Sequence, residues 1–302
     1  MGTPDFAVAS LDALIKAGFD IVGVVTAPDK PAGRGQKMHQ SAVKQYAEEH
    51  HLYTLQPEKL KDKGFLEQLK ALKADLQVVV AFRMLPEIVW NMPSLGTINL
   101  HASLLPQYRG AAPINWAVIN GEKESGVSTF FLKHEIDTGN IIFSDKVAIS
   151  ESMTAGDLHD KLMVVGAELL VKTVDAISRN SYEEVSQESL EETVLRHAPK
   201  IFKEDCKINW EQGTEKIYNF IRGLSPYPTA FTFFNNKILK IFSAEKELVN
   251  PSVAAGELLS DGKSYLKFAT NNGYISIRDL QLEGKKRMKI EEFLRGVKVQ
   301  SL

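Results

Sequence analysis

A chain of 302 residues, 44% hydrophobic and 25% charged, has the composition of a globular protein large enough to bury a full core without cross-links. Its one cysteine, Cys206, excludes an internal disulfide framework and fits a reducing compartment, and no apolar run approaches the roughly 20 residues a membrane helix requires. The net charge of −2 hides an asymmetry: residues 1–204 carry 21 Lys and Arg against 27 Asp and Glu, and residues 205–302 carry 15 against 11. That imbalance reads either as chance variation of surface charge or as a polyanion partner for the second half.

Met1 to Asp5 is turn-like, and Phe6 to Ala17 is an amphipathic helix stopped by Gly18. A glycine turn entering a helix usually follows the first strand of a doubly wound fold. Here nothing precedes the turn, so that strand is expected to be missing, by truncation or by a mis-assigned start. Ile21 to Thr26 is a short β-branched strand. Ala27 to Gln40 reads as a loop rich in Pro, Gly and basic residues, either a connector or a basic flap for a phosphate-bearing ligand. Ser41 to His50 and Phe65 to Leu72 are helices. Asp75 to Phe82 is a strand whose continuous Val78-Val79-Val80 implies burial on both faces, as in a parallel sheet covered by helices. A short helix follows Pro86, and Gly96 to Leu100 is the next strand. Ile114 to Asn120 is helical, Val127 to Leu132 and Ile141 to Ile149 are strands, and Thr154-x-x-Asp157 caps a long helix ending near Asn180.

The alternation of β and α through residues 1–180 predicts an α/β domain with a Rossmann-like, mostly parallel sheet. Residues 181–207 are acidic and poor in apolar side chains, so they read as a linker. Residues 208–302 hold a helix from Gly213 to Gly223, five short strands and a closing helical turn. Asn235-Asn236, Asp261-Gly262 and Asn272-Gly273 mark turns, and the pattern predicts a C-terminal OB-like β-barrel.

The chemistry-bearing stretch is Asn99 to Pro113. In an extended chain Asn99 and His101 share a face. A carboxamide can hold a developing oxyanion and an imidazole can exchange a proton near neutral pH. Ser103 lacks a nucleophile elbow, Cys206 sits in the linker, and no His or Cys pair has zinc spacing, so no metal is expected. Asp137, just before Thr138-Gly139, is the nearest candidate carboxylate. Taken alone, these residues fit either a buried structural Asn–His pair or direct transfer of a carbonyl-level group between two bound substrates.

Asn99-x-His101-x-Ser103-Leu104-Leu105-Pro106, with Tyr108-Arg109-Gly110 and Asp137-Thr138-Gly139, resembles the formyltransferases that use 10-formyltetrahydrofolate. Gly2-Thr3-Pro4-Asp5-Phe6-Ala7, Pro28-Asp29-Lys30-Pro31-Ala32-Gly33-Arg34-Gly35, Gly110-Ala111-Ala112-Pro113 and Arg222-Gly223-Leu224-Ser225-Pro226-Tyr227-Pro228 look like the members acting on charged initiator methionyl-tRNA. The resemblance implies that Asn99 holds the formyl oxygen, that His101 assists proton transfer from the attacking amine, and that Asp137 orients His101. It implies a folate site lined by Ser103, Leu104, Leu105 and Pro106. It also implies a basic loop (Lys30, Arg34, Lys37) and a barrel that meet the tRNA, a monomer, and a cytoplasmic, bacterial setting. The family usually begins with an apolar strand before the Gly-Thr-Pro turn. Its loop at Phe82-Arg83-Met84-Leu85-Pro86 is one residue longer, which bears on the pterin contacts. Alternatives are a formyltransferase for a small amine, a glycinamide ribonucleotide or amino-sugar nucleotide, and a folate- or tRNA-binding module without catalysis.

Overall fold

The computed structural model describes residues 1–32, 37–190 and 194–297, apart from the side chains of Ala32 and Lys37. In chain order its elements are α1 (Asp5–Lys16), β1 (Val24–Val25), β2 (Lys30–Ala32), β3 (Lys37–His39), α2 (Ala42–Glu49), β4 (Thr54–Leu55), α3 (Lys63–Ala71), β5 (Gln77–Val80), α4 (Glu87–Trp90), β6 (Thr97–His101), β7 (Arg109–Gly110), α5 (Pro113–Ile119), β8 (Glu124–Phe131), β9 (Ile141–Ala148), α6 (Ala155–Ser178), β10 (His197–Ala198), α7 (Thr214–Gly223), β11 (Ala230–Phe234), β12 (Lys237–Glu247), β13 (Leu258–Ser260), β14 (Leu266–Thr270), β15 (Gly273–Leu282), β16 (Met288–Lys289) and α8 (Ile290–Gly296). The chain divides into two compact units. One comprises Met1–Gly110, Gly126–Val147 and Lys161–His197; the other comprises Ala111–Ser125, Ala148–Asp160 and Ala198–Leu302.

In the first unit the apolar β5 lies beside β6 in parallel, with Val79 opposite Asn99 and Val80 opposite Leu100. β6 runs antiparallel to β8, with Asn99 opposite Phe130 and His101 opposite Ser128, and β9 lies beyond β8. β1 and β4 form a separate parallel pair. Met1 and Gly2 lie between β1 and β5. The Gly2 N–H donates to the Val25 carbonyl (3.0 Å), the Val80 N–H donates to the Met1 carbonyl (2.9 Å), and the Met1 amine donates to the Val78 carbonyl (2.7 Å). Beside that amine lies a cavity of about 140 Å³ lined by Met1, Leu14, Val22, Val24, Leu76 and Val78, among others.

Local chemistry explains the flanking helices. Ser41 caps α2 by accepting from the Lys44 N–H (3.1 Å), and Asp62 caps α3 by accepting from the Phe65 N–H (3.0 Å), which starts α3 ahead of Phe65. Val25, Leu55, Phe65, Leu69, Val79 and Val89 pack into one apolar cluster. α6 lies close to the sheet at Gly166, where an added Cβ would stand 3.1 Å from Leu100. The stretch from Ala27 to Gln40, expected to lack regular structure, holds a hairpin in which Lys30 faces His39 and Pro31 faces Met38. Pro31 has no N–H to give a ladder, which disguised the strand.

The second unit is built on an antiparallel sheet in the order β11-β12-β15-β14-β13, with β16 paired to β15. A register shift near Ile241 to Ala244 in β12 curls it into an OB-like half-barrel around Ile221, Leu239, Ile241, Leu266, Ile277 and Phe293. Asn235 and Asn236 both take positive φ at the β11–β12 turn, as asparagines can. Buried Arg222 donates to the Met153 carbonyl (2.8 Å) and the Asn219 carboxamide oxygen (2.8 Å), and Gly223 lets α7 approach Ile119 of α5. Thr154 and Asp157 bond reciprocally at the start of α6: the Thr154 N–H reaches the carboxylate at 2.8 Å and the Asp157 N–H reaches the hydroxyl at 3.1 Å.

Candidate active site

Pleat alternation in β6 sends Ile98 and Leu100 into the core and leaves Asn99 and His101 on the opposite face. Asn99 is half-buried, and its carboxamide has no hydrogen bond to another described residue. Its two N–H donors are therefore available to a bound molecule. His101 is buried, and its Nε2 lies 2.9 Å from the Tyr108 carbonyl oxygen. A carbonyl only accepts, so Nε2 carries the hydrogen and Nδ1 of the neutral ring carries the lone pair. Nδ1 faces the Asp137 carboxylate, with Oδ2 at 3.9 Å. That separation is too long for a hydrogen bond. It is short enough for the carboxylate to stabilise a proton arriving on Nδ1.

Two loops hold this geometry. Tyr108 (φ +61°) and Asp137 (φ +55°) both occupy the left-handed region that non-glycine residues rarely adopt. The Gly110 N–H donates to Asp137 Oδ2 (3.1 Å) and the Tyr108 N–H donates to the Arg196 carbonyl (2.6 Å). Gly139 is required because any Cβ there would collide with the Phe131 carbonyl oxygen. Buried Gln187 donates from Nε2 to the carbonyls of Asp137 and Gly139, both at 2.8 Å, and accepts from Arg109 Nε at 2.9 Å.

The structure thus sets the Asp137 carboxylate beside His101, with Asn99 on the same face of β6 as His101. In the Ser103–Pro106 turn, Ser103, Leu105 and Pro106 are buried and Leu104 is half-buried. The Ser103 hydroxyl is turned inward onto the Gln107 carbonyl (2.7 Å), and the Ser128 hydroxyl donates to the Ser103 carbonyl (2.8 Å). Lys30 is exposed on the separate β2–β3 hairpin, while Arg34 and the side chain of Lys37 lie outside the described residues. Arg83 directs its guanidinium to the carbonyls of Glu58 (2.8 Å) and Pro57. Burial pushes the Cys206 thiol up, which suits packing rather than nucleophilic attack. Among the described residues no group of three or more His, Cys, Asp or Glu is placed to hold a metal ion.

Three contributors were not legible in the sequence. The Tyr108 carbonyl and the Gly110 N–H are backbone groups, which say nothing of residue type apart from the N–H that proline lacks. Gln187 lies in the segment expected to be a linker, with no local motif to mark it.

Residues 1–174 match the formyl transferase family, and residues 200–298 match the formyl transferase C-terminal domain. The chain is 55% identical over 302 residues to a methionyl-tRNA formyltransferase of Bacteroides fragilis, covering 98% of this chain and 93% of that one. It is 52% identical over 301 residues to a methionyl-tRNA formyltransferase of Flavobacterium johnsoniae, covering 98% and 95%. Among solved structures, an N-formyltransferase of Helicobacter canadensis in complex with folinic acid and dTDP-3-aminofucose superposes with a TM-score of 0.67 at 23% identity, covering 95% of this chain and 97% of that one. That last likeness is one of fold.

Proposed function

This chain belongs to the formyl transferase family, and from that premise we propose that it formylates the amino group of methionine carried on initiator tRNA. The formyl donor is 10-formyltetrahydrofolate, which binds as a co-substrate. The carrying observation is the convergence of Asn99, His101 and Asp137 at the end of β6, in a chain 55% identical to a methionyl-tRNA formyltransferase across 98% of its length.

The reaction joins the methionine nitrogen to the formyl carbon and breaks the bond from that carbon to the folate nitrogen. The amine loses one proton and the departing nitrogen gains one. Asn99 donates to the formyl oxygen and to the oxyanion that forms on attack. His101 Nδ1, whose lone pair is exposed by the Nε2–H bond to Tyr108, takes the amine proton. Asp137 stabilises the resulting imidazolium from 3.9 Å. The folate is held by the Ser103–Pro106 turn, chiefly through its backbone and Leu104, since the Ser103 hydroxyl serves the Gln107 carbonyl. Lys30, Arg34 and Lys37 meet the acceptor end of the tRNA. Residues 1–180 form the catalytic domain, 181–207 the linker, and 208–302 the tRNA-binding domain, whose excess of basic residues suits phosphates. The protein works as a monomer in a bacterial cytoplasm. Among the described residues no helix is long and apolar enough to cross a membrane.

Formyl transfer from labelled 10-formyltetrahydrofolate to charged initiator tRNA tests this reading, with glycinamide ribonucleotide and an amino-sugar nucleotide in parallel. Label only on a small amine supports the sugar or nucleotide alternative. Binding without turnover supports a non-catalytic module.

A further inference from the structure

Gln187 lies 50 residues beyond Asp137 and 78 beyond Arg109, yet it ties the loops carrying both to one point. The side chain is 1% exposed. Both hydrogens of its Nε2 are committed, one to the Asp137 carbonyl and one to the Gly139 carbonyl, each at 2.8 Å. Its Oε1 accepts from Arg109 Nε at 2.9 Å. The residue after Arg109 returns the connection, because the Gly110 N–H donates to Asp137 Oδ2 at 3.1 Å. The contacts close a ring: Asp137 carboxylate, Gly110 N–H, Arg109 guanidinium, Gln187 carboxamide, Asp137 carbonyl. Tyr108, next in the same segment, holds His101 Nε2 at 2.9 Å. The ring therefore fixes the carboxylate relative to the imidazole it faces.

The backbone at Asp137 needs such a clamp. A left-handed conformation in a residue with a Cβ costs about 1–2 kcal/mol and persists only where surrounding contacts determine it. A carboxamide is the one neutral side chain that gives two hydrogens from one atom while accepting at its other end. An apolar residue of similar volume would lose the bonds to both carbonyls and to the Arg109 guanidinium. Glutamate would set a carboxylate against two carbonyl oxygens.

We propose that Gln187 is a positioning residue for formyl transfer, acting through Asp137 and touching neither substrate. The proposal rests on the reading that Asp137 serves the transfer. Misplacement of a catalytic group by about 1 Å can cost on the order of 10²-fold in rate. Gln187→Leu is accordingly expected to lower kcat by about 10- to 100-fold, with the KM values for charged tRNA and for the formyl donor held within about threefold.

The test is a double-mutant cycle on the full chain, assayed well below the unfolding midpoint. In the Asp137→Ala background no carboxylate remains to position, so Gln187→Leu is expected to change kcat by less than about twofold. Gln187→Glu, which preserves volume and removes both donors, runs the same cycle should the leucine variant fail to fold. A kcat loss that persists at full size in the Asp137→Ala background overturns the proposal and leaves Gln187 a structural residue. No kcat loss in either Gln187 variant also overturns it. If Asp137→Ala alone leaves kcat unchanged, the role of Asp137 fails first and carries the proposal with it.

Discussion

His101 Nε2 and the carbonyl oxygen of Tyr108 are 2.9 Å apart. This contact, rather than one to a carboxylate, sets the tautomer of the imidazole. Tyr108 is in turn held by the bond from its own N–H to the Arg196 carbonyl, at 2.6 Å. The ring thus presents the lone pair of Nδ1 on the side of Asp137, 3.9 Å away. An imidazole arranged in this way accepts a proton without first having to rotate.

His101→Ala should lower the single-turnover rate of formyl transfer by roughly 10²–10⁴-fold, the usual range for a general acid–base group. Binding of the formyl donor, followed by fluorescence or calorimetry, should persist. An unchanged rate would remove His101 from proton transfer.

Asn99→Ala removes a donor that bonds to no described residue of the protein itself. Stability should therefore change little, while the transfer rate falls by about 10²–10³-fold, as for other oxyanion donors. A thermal melt beside the rate measurement separates the two. A large loss of stability with a normal rate would assign Asn99 to the fold.

Gly139→Ala should destabilise the Asp137 loop, because the new Cβ meets the Phe131 carbonyl oxygen and the Phe130 ring. We expect a loss of about 1–3 kcal/mol in chemical denaturation, together with a lower kcat. Gly262→Ala is the comparison: φ there is +71°, but nothing lies within 4 Å. It should cost about 1 kcal/mol of backbone strain and leave kcat as it was.

Asp279 supplies a pH test of the second unit. Burial works to raise its pKa, but hydrogen bonds from Arg287 and Lys289 outweigh burial and hold the carboxyl below its ordinary value of 3.8. A depressed carboxyl pKa contributes stability that is present above the unfolded-state value and lost as pH falls through the folded one. Asp279→Asn should cost about 1–3 kcal/mol in urea denaturation at pH 7. The difference from the parent chain should shrink at pH 3 and below. An equal difference at both pH values would contradict the assignment.

Periodicity and end signals made much of the fold readable. The Thr154–Asp157 pair and the Asn235-Asn236 turn act where their chemistry indicated. The apolar Val78-Val79-Val80 run is a strand of the sheet that carries the site. Elements defined mainly by a partner were harder. Thr54–Leu55 is two residues long and exists as a strand because β1 lies beside it, and β1 itself shrinks from the expected Ile21–Thr26 to Val24–Val25. At the site, the i, i+2 relation of Asn99 and His101 follows directly from strand geometry. Asp137 could be nominated from its Thr138-Gly139 context, but its distance to His101 depends on two loops and on Gln187. Those contacts join residues 27 to 88 positions apart, and no local pattern encodes them.

The most direct test follows label from 10-formyltetrahydrofolate onto charged initiator tRNA, with the parent chain and an Asn99→Ala, His101→Ala double variant side by side. The account predicts label on the α-amino group of the attached methionine with the parent chain. It predicts a rate at least about 10²-fold lower with the double variant. Equal transfer by the two proteins, or transfer only to a small amine, would contradict it.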